Sequence, residues 1–258
     1  LTNLNRVENS ITRWLDIYFP EFKDVFKSWD GKSALLILEI IPFPKQIIDK
    51  TPEEIVEIWR DHGINRGIGI KRAIKLHKAA KKSVGLTEGH EMARIQLKDY
   101  LRQYKQFEKQ KNRIESKIED LLEKISGAKE MLTVPGVGEM TIAGFYAECG
   151  DLENYQHPKQ IIKLAGLNLM EHSSGKHKGE TKITKRGRSG LRALLYRVSL
   201  PLVRHNYEFK QLHKYYTTRS KNPLAKQQSL IALCCKLIRI LFTLGTKEVE
   251  YDGEKMLN

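Results

Sequence analysis

The sequence predicts a mainly α-helical protein, with a long coiled-coil helix and a C-terminal helical domain containing a helix-hairpin-helix motif. Three observations carry this reading. Apolar residues recur at helical spacing along most of the chain, and helix start signals punctuate them. Only residues 34–41 form an apolar run that could equally be a strand. With 258 residues, 40% hydrophobic and 29% charged, the chain is long enough for one or two domains with sizeable cores, and too apolar for wholesale disorder. No stretch reads as the roughly 20 apolar residues that span a bilayer, and no signal peptide is visible, because Arg6, Glu8 and Arg13 interrupt the N-terminal pattern. Three cysteines, two of them adjacent, form neither a disulfide framework nor a zinc site.

Leu4, Val7, Ile11, Trp14 and Tyr18 lie at spacings of three and four, one apolar stripe of a helix that Pro20 stops. The stripe is already running at Leu1, which suggests that the chain begins inside a longer protein. Thr51-Pro52-Glu53-Glu54 reads as a helix start: Thr51 as N-cap, Pro52 in the first turn and Glu54 closing a capping box. Gly67-Ile68-Gly69 precedes a helix to about Lys82. Such a turn can hold a phosphate or simply connect two helices. Ala93, Leu97, Tyr100, Tyr104, Phe107, Lys111, Ile114, Ile118, Leu121 and Ile125 then alternate spacings of four and three. This is a coiled-coil seam. A helix over 88–126 would be roughly 58 Å long. With no other segment of matching length, a second copy of the chain is expected to cover the seam, making a homo-oligomer. The resulting organisation is a helical region over 1–86, a coiled-coil helix over 87–127 and a C-terminal domain over 128–258.

The formal net charge of +14 is unevenly spread. Residues 156–246 hold 18 Lys+Arg and three acids (Glu171, Glu180, Glu208), so the rest of the chain nets −1. A block this basic either faces a polyanion, nucleic acid first, or is a solvated face.

Within and just before that block lie the chemistry-bearing segments. Leu132 to Ala143 reads as helix, Pro-Gly-x-Gly hairpin and second helix, with Gly136, Val137 and Gly138 in the turn. Free N–H groups at such a turn would contact DNA phosphates; the same motif also serves as a structural joint. A short helix with Gln160, Ile161, Ile162 and Leu164 ends at Gly166. The sequence Glu171-His-Ser-Ser174-Gly175-Lys-His-Lys178-Gly179 follows, then Ile183-Thr184-Lys185-Arg186-Gly187, then a helix over about 189–205. Lys176, Lys178, Lys182, Lys185, Arg186, Arg188 and Arg192 line this stretch. A serine hydroxyl among cations can attack phosphate, since cations stabilise the developing charge. Serines in glycine-rich segments are also ordinary turn formers.

The order VPGVG, AECGDLENY, PKQIIKLAGL, HSSG and ITKRGRSGLRALLY, from Leu132 to Asn206, resembles the C-terminal transposase domain of the insertion-sequence one-ten family. These are bridge-RNA-guided recombinases related to Piv-type DNA invertases. The upstream segments NSITRWLDIYFPEF and GIGIKRA and the long coiled coil resemble the middle of the same proteins.

The resemblance implies a nucleophilic serine that bonds covalently to a DNA 5′-phosphate. The match falls on Ser174, directly before Gly175, with Ser173 as the other register. From the residues alone, the neighbouring His172 and His177 could accept its proton or simply be solvated. It also implies DNA as partner, a guide RNA in some members, no membrane association, and a cytoplasmic, nucleoid-associated site in a bacterium or archaeon. The family's N-terminal RuvC-like domain carries an Asp-Glu-Asp-Asp set for Mg²⁺. Asp16, Glu21, Asp24 and Asp30 do not match it, so no metal site or cofactor is assigned to this chain. The resemblance leads to a DNA-binding C-terminal portion of a transposase or recombinase. The alternatives are a non-catalytic DNA-binding remnant and a structural repair scaffold.

Overall fold

The computed structural model describes residues 2–171 and 181–257 and divides into two compact units, Leu1–Arg113 and Ile114–Asn258. Among the described residues the regular elements are helices apart from one two-stranded ladder, as the mainly α reading expects. The three segments expected from the sequence fall onto these two units, with the coiled-coil segment shared between them.

The first unit contains α1 (Thr2–Tyr18), α2 (Phe22–Val25), α3 (Lys32–Ile40), α4 (Pro44–Ile48), α5 (Pro52–Asp61), α6 (Ile70–Lys81) and the start of α7 (His90–Leu122). The apolar stripe of α1 is buried through Leu4, Val7, Ile11 and Trp14. The ambiguous run 34–41 is the helix α3. It buries Ala34, Ile37 and Leu38, and Leu35, Leu36 and Ile40 are partly covered, so it is apolar all round because neighbours surround it. Two buried indoles find backbone acceptors: Trp14 Nε1 donates to the Ala93 carbonyl and Trp59 Nε1 to the Ser33 carbonyl, each at 2.9 Å. The α5 start forms as its sequence dictates. The Thr51 hydroxyl accepts from the Glu54 N–H at 3.2 Å and Glu54 accepts from the Thr51 N–H at 2.6 Å, and that second bond holds the Glu54 carboxyl below its ordinary range.

The seam of α7 behaves differently along its length. Ala93, Leu97 and Tyr104 are buried in the core of the first unit, with Tyr100 and Phe107 packed against it. This half needs no second chain, contrary to the expectation from periodicity alone. Beyond Lys111, Ile114 and Leu121 are 59% and 49% exposed, while Ile118 and Leu122 turn to the core of the second unit. The helix has 33 residues, fewer than the sequence suggests, because beyond Leu122 the backbone tightens into three-residue turns, Lys124 N–H to the Leu121 carbonyl and Ile125 N–H to the Leu122 carbonyl.

The second unit continues through α8 (Ala128–Leu132), α9 (Glu139–Cys149), a 3-10 turn at Leu152–Asn154, α10 (Pro158–Leu164), β1 (Leu169–Glu171), β2 (Thr181–Ile183), α11 (Ser189–His205), α12 (Tyr207–Thr218), α13 (Lys226–Lys247) and α14 (Gly253–Leu257). β1 and β2 pair antiparallel, Leu169 opposite Ile183 and Glu171 opposite Thr181. By length and composition α13 could cross a bilayer, a signal that the sequence reading passed over. Here it is the central helix of the unit: α8, α10, α11 and α12 all pack on it, and Leu233, Leu237, Ile238 and Leu241 are fully enclosed.

One close backbone approach and one buried side-chain clamp fix this core. Gly127 has φ +74°, and a Cβ there would lie 2.1 Å from the Gly245 carbonyl oxygen of α13. Asn206, 2% exposed, joins the turn before α9 to the α11–α12 corner. Its Oδ1 accepts from the Phe209 N–H and its Nδ2 donates to the Pro135 carbonyl, both at 3.1 Å.

Substituting Asn206→Ala leaves that carbonyl and that N–H without partners and is expected to cost about 2–3 kcal/mol. Urea denaturation should show a lower midpoint with an unchanged slope. Gly127→Ala is expected to cost about 3 kcal/mol or more, from left-handed backbone plus a clash. Gly150→Ala, where φ is +77° but nothing lies within 4 Å, should cost about 1 kcal/mol. Equal losses at the two glycines would show that the contact with Gly245 contributes nothing.

Candidate nucleic-acid interface

The segment 182–192 is held by an approach of two glycines. A Cβ at Gly187 would lie 2.2 Å from the Leu164 carbonyl oxygen and 2.8 Å from the Gly166 nitrogen. A Cβ at Gly166, where φ is +66°, would lie 2.8 Å from the Arg186 carbonyl oxygen. Only backbones without side chains can approach this closely. The approach is stitched by Thr184 N–H to Asn168 carbonyl at 2.8 Å, Lys185 N–H to Gly166 carbonyl at 3.0 Å and Arg188 N–H to Leu164 carbonyl at 2.7 Å. Lys185 takes φ +53° to fit. The foot of the β1–β2 ladder is thereby fixed against the end of α10 and the start of α11.

The cations expected to form one cluster divide into two sorts. Arg188 Nη1 donates to the Glu148 carbonyl at 2.6 Å. Arg192 Nη1 donates to the Ala165 carbonyl at 2.9 Å and, more weakly, to the Lys185 carbonyl at 3.4 Å. These two guanidinium groups tie α11 to α9 and α10, each through its Nη1. Lys182, Lys185 and Arg186 are exposed on or just after β2. Ser174, Ser173, Lys176, Lys178, His172 and His177 lie outside the described residues.

The turn at 133–138 sits elsewhere. Gly136 has φ +95°, and a Cβ there would meet Leu202 Cδ2 at 3.0 Å. Val137 is buried, and its N–H donates within the turn to the Val134 carbonyl at 3.0 Å. This N–H is therefore not free for phosphate, whereas the hairpin reading expects free N–H groups here. Gly138, extended at φ −108°, caps α9 beside open space. Carboxylates crowd this end of α9: Glu139 beside Glu119 pushes the Glu119 pKa up by charge repulsion. Two carboxylates there oppose a bound phosphate.

The turn and the basic segment lie at opposite ends of one helix pair. α9 and α11 pack together. Gly136 meets Leu202 near the end of α11, while a Cβ on Gly190 at its start would meet Glu148 Oε1 at 2.0 Å near the end of α9. The pair is antiparallel, and 11 residues of α9 separate the two places by roughly 16 Å. They do not form one phosphate site.

A surface that sequence reasoning missed lies on α12. Tyr207 and Tyr215 are 66% and 58% exposed, and Lys210 and Lys214 are exposed between and beside them. Arg219 lies over the Tyr216 ring, 5.9 Å from its centroid and within the roughly 6 Å reach of such contacts. Glu208, the acid of α12, is turned toward Gly253. Tyrosines interleaved with lysines could have been noticed in the sequence. What hid them was the absence of a motif with fixed spacing.

Other nucleophiles fall away. Burial pushes the Cys149 and Cys234 thiols up to about 12 and also raises Cys235, so none is a thiolate near neutral pH. Among the described residues no group of three or more His, Cys, Asp or Glu side chains is placed to hold a metal ion.

Comparison with known proteins agrees with this picture of the second unit. Residues 128–214 match the profile described as Transposase IS116/IS110/IS902 family. The transposase for insertion sequence element IS1111A of Coxiella burnetii is 29% identical over 119 residues, 46% of this chain and 33% of that protein. The pilin gene-inverting protein of Moraxella bovis is 27% identical over 128 residues, 48% of this chain and 38% of that protein. The transposase for IS1328 of Yersinia enterocolitica is 27% identical over 138 residues, 52% of this chain and 40% of that protein. The matched regions thus span 33–40% of the length of these relatives. Residues 128–214, which run from α8 into α12, are thus similar to the IS116/IS110/IS902 transposase family.

Proposed function

We propose that this chain is the DNA-binding portion of a transposase or site-specific recombinase that works through a covalent phosphoserine intermediate at Ser174. The observation that carries the reading is the glycine-locked foot of the β1–β2 ladder, in a family-matched region, with Lys182, Lys185 and Arg186 on its outer side. Ser174 belongs to the segment between the two strands. In the proposed step its Oγ bonds to a DNA phosphorus and the bond from phosphorus to the 3′ oxygen breaks. The serine proton ends on that 3′ hydroxyl, and the 5′-phosphate stays on serine. The reverse step rejoins strands. Cations near the phosphate stabilise the charge that builds on its oxygens.

DNA binding is assigned to Lys185 and Arg186 together with Lys210 and Lys214 of α12, while the helix-hairpin-helix turn at Gly136–Gly138 acts as a joint. Backbone contacts of this kind give affinity without sequence readout. Guide RNA, where one is used, would supply the sequence choice. The exposed Ile114 and Leu121 of α7 are the part of the coiled-coil seam left for a second copy.

Replacing Lys185, Arg186, Lys210 and Lys214 with alanine is expected to weaken binding to every DNA sequence alike. The slope of log affinity against log salt should become shallower by about one per residue. Arg188→Ala should instead lower the melting temperature, because it leaves the Glu148 carbonyl without its donor. An unchanged slope in the quadruple variant would reduce this surface to a solvated face.

The serine step is tested with the chain fused behind the nuclease domain of a relative and nicked DNA in a buffer containing Mg²⁺. A protein–DNA adduct stable to denaturant should form, disappear with Ser174→Ala and persist with Ser173→Ala. An adduct lost only with Ser173→Ala would move the nucleophile by one residue. No adduct with wild type, alongside intact DNA binding, would favour the non-catalytic remnant.

A further inference from the structure

The division into two units changes how the charge is distributed. Residues 1–113 hold 22 Lys+Arg and 15 Asp+Glu, and residues 114–258 hold 23 and 16. Each unit therefore carries +7, half of the total. The first unit looks neutral in the sequence only because the acid-rich stretch 114–155, which belongs to the second unit, adjoins it. Within the first unit the surplus has one location. Residues 62–87 contain seven cations (Arg66, Lys71, Arg72, Lys75, Lys78, Lys81, Lys82) and no acid.

Most of these cations belong to α6. Ala73, Leu76 and Ala80 bury one face of that helix. At 3.6 residues per turn, Lys71, Lys75, Lys78 and Lys82 project within an arc of roughly 60° on the opposite face. Lys81 and Ile74, 39% exposed, flank them. Two cations near this face are used internally: Arg72 donates to the Gly67 carbonyl and lies 5.7 Å from the Phe26 ring centroid, and Lys75 donates to the Asp24 carbonyl. Lys71, Lys78, Lys81 and Lys82 are exposed, and among the described residues no carboxylate pairs with them. Glu53, Glu54 and Glu57 lie on α5, which packs beside α6, yet they leave these lysines unpaired.

Like charges crowded on one helix face repel one another, and a polyanion removes that cost. From Lys71 to Lys82 the face is roughly 16 Å long. A duplex carries about nine phosphates over that length.

We propose that the lysine face of α6 is a second nucleic-acid backbone site, carried by the first unit and separate from the transposase-family region. Its ligand chemistry is a row of phosphodiesters. Duplex DNA and folded RNA share it.

The test uses the full chain with Lys71, Lys78, Lys81 and Lys82 changed to alanine, measured by fluorescence anisotropy from 50 to 200 mM salt. One arm uses duplex DNA and the other a hairpin RNA of equal length. The salt slope should become shallower by two or more in at least one arm, and affinity at 100 mM salt should fall at least tenfold. The arm that responds identifies the source of the phosphates. The corresponding four-lysine-to-arginine variant should bind like wild type. A control variant changes Arg6, Arg13, Lys98 and Lys109, four exposed cations carried by α1 and α7 of the same unit, to alanine. A slope change below two in both arms, or an equal change in the control, overturns the proposal. The quadruple variant at Lys185, Arg186, Lys210 and Lys214 reports on the second unit separately. Loss there with no loss at α6 leaves the proposed function standing and removes this site.

Discussion

A Cβ at position 187 would sit 2.2 Å from the Leu164 carbonyl oxygen, and much of the second unit's functional surface depends on that space staying empty. The approach lets three backbone bonds join the end of α10 to the start of α11. Those bonds fix both strands of the ladder and the direction in which α11 leaves. Arg192 then closes the joint from above through the Ala165 carbonyl. The order of causes runs from missing side chains, to close backbones, to a fixed ladder, to cations held in a defined place. A flexible segment with the same lysines would lose conformational freedom on binding phosphate; a fixed one loses less.

The division of the cations follows from their chemistry. Guanidinium groups present several donors in a rigid fork, so they suit carbonyls that tertiary packing brings near. Arg188, Arg192 and Arg72 are all used this way. Lysines are compact charges on flexible stems, and most of those discussed here stay in solvent. The net charge of each unit therefore overstates what an outside polyanion can use. What remains exposed includes Lys71, Lys78, Lys81 and Lys82 in the first unit and Lys185, Arg186, Lys210 and Lys214 in the second.

Local signals were legible in the sequence where local geometry decides the outcome. The capping box at Thr51, the stripe of α1 and the span of α11 needed only neighbours three or four residues away. The state of residues 34–41 was not legible, because whether an apolar run coils or extends depends on what surrounds it. The seam of α7 was half legible. Periodicity marks the residues that are buried, but not whether the same chain or another covers them, and Ala93 to Tyr104 are covered within the first unit. For the site, composition marked the basic segment. It could not separate Arg188 from Arg186, since the distinguishing partner is a carbonyl 40 residues away in α9.

The same limit explains the turn at Gly136. A Pro-Gly-x-Gly sequence before a helix is compatible both with phosphate contact and with a joint, because both need backbone without side chains. The neighbours decide between them. At Gly136 the space is bounded by Leu202, and the adjacent helix start faces Glu139 and Glu119. At Gly187 the space is filled by backbone, and the adjacent residues are Lys185, Arg186 and Arg188. One glycine turn thus has apolar and acidic surroundings; the other has three cations and the Glu148 carboxylate beside it. They stand at opposite ends of the α9–α11 pair. Under the proposed function a phosphate would be opposed by Glu119 and Glu139 at the Gly136 end and met by Lys185 and Arg186 at the Gly187 end. Both places need glycine because something approaches the backbone closely, and only the neighbours tell the two apart.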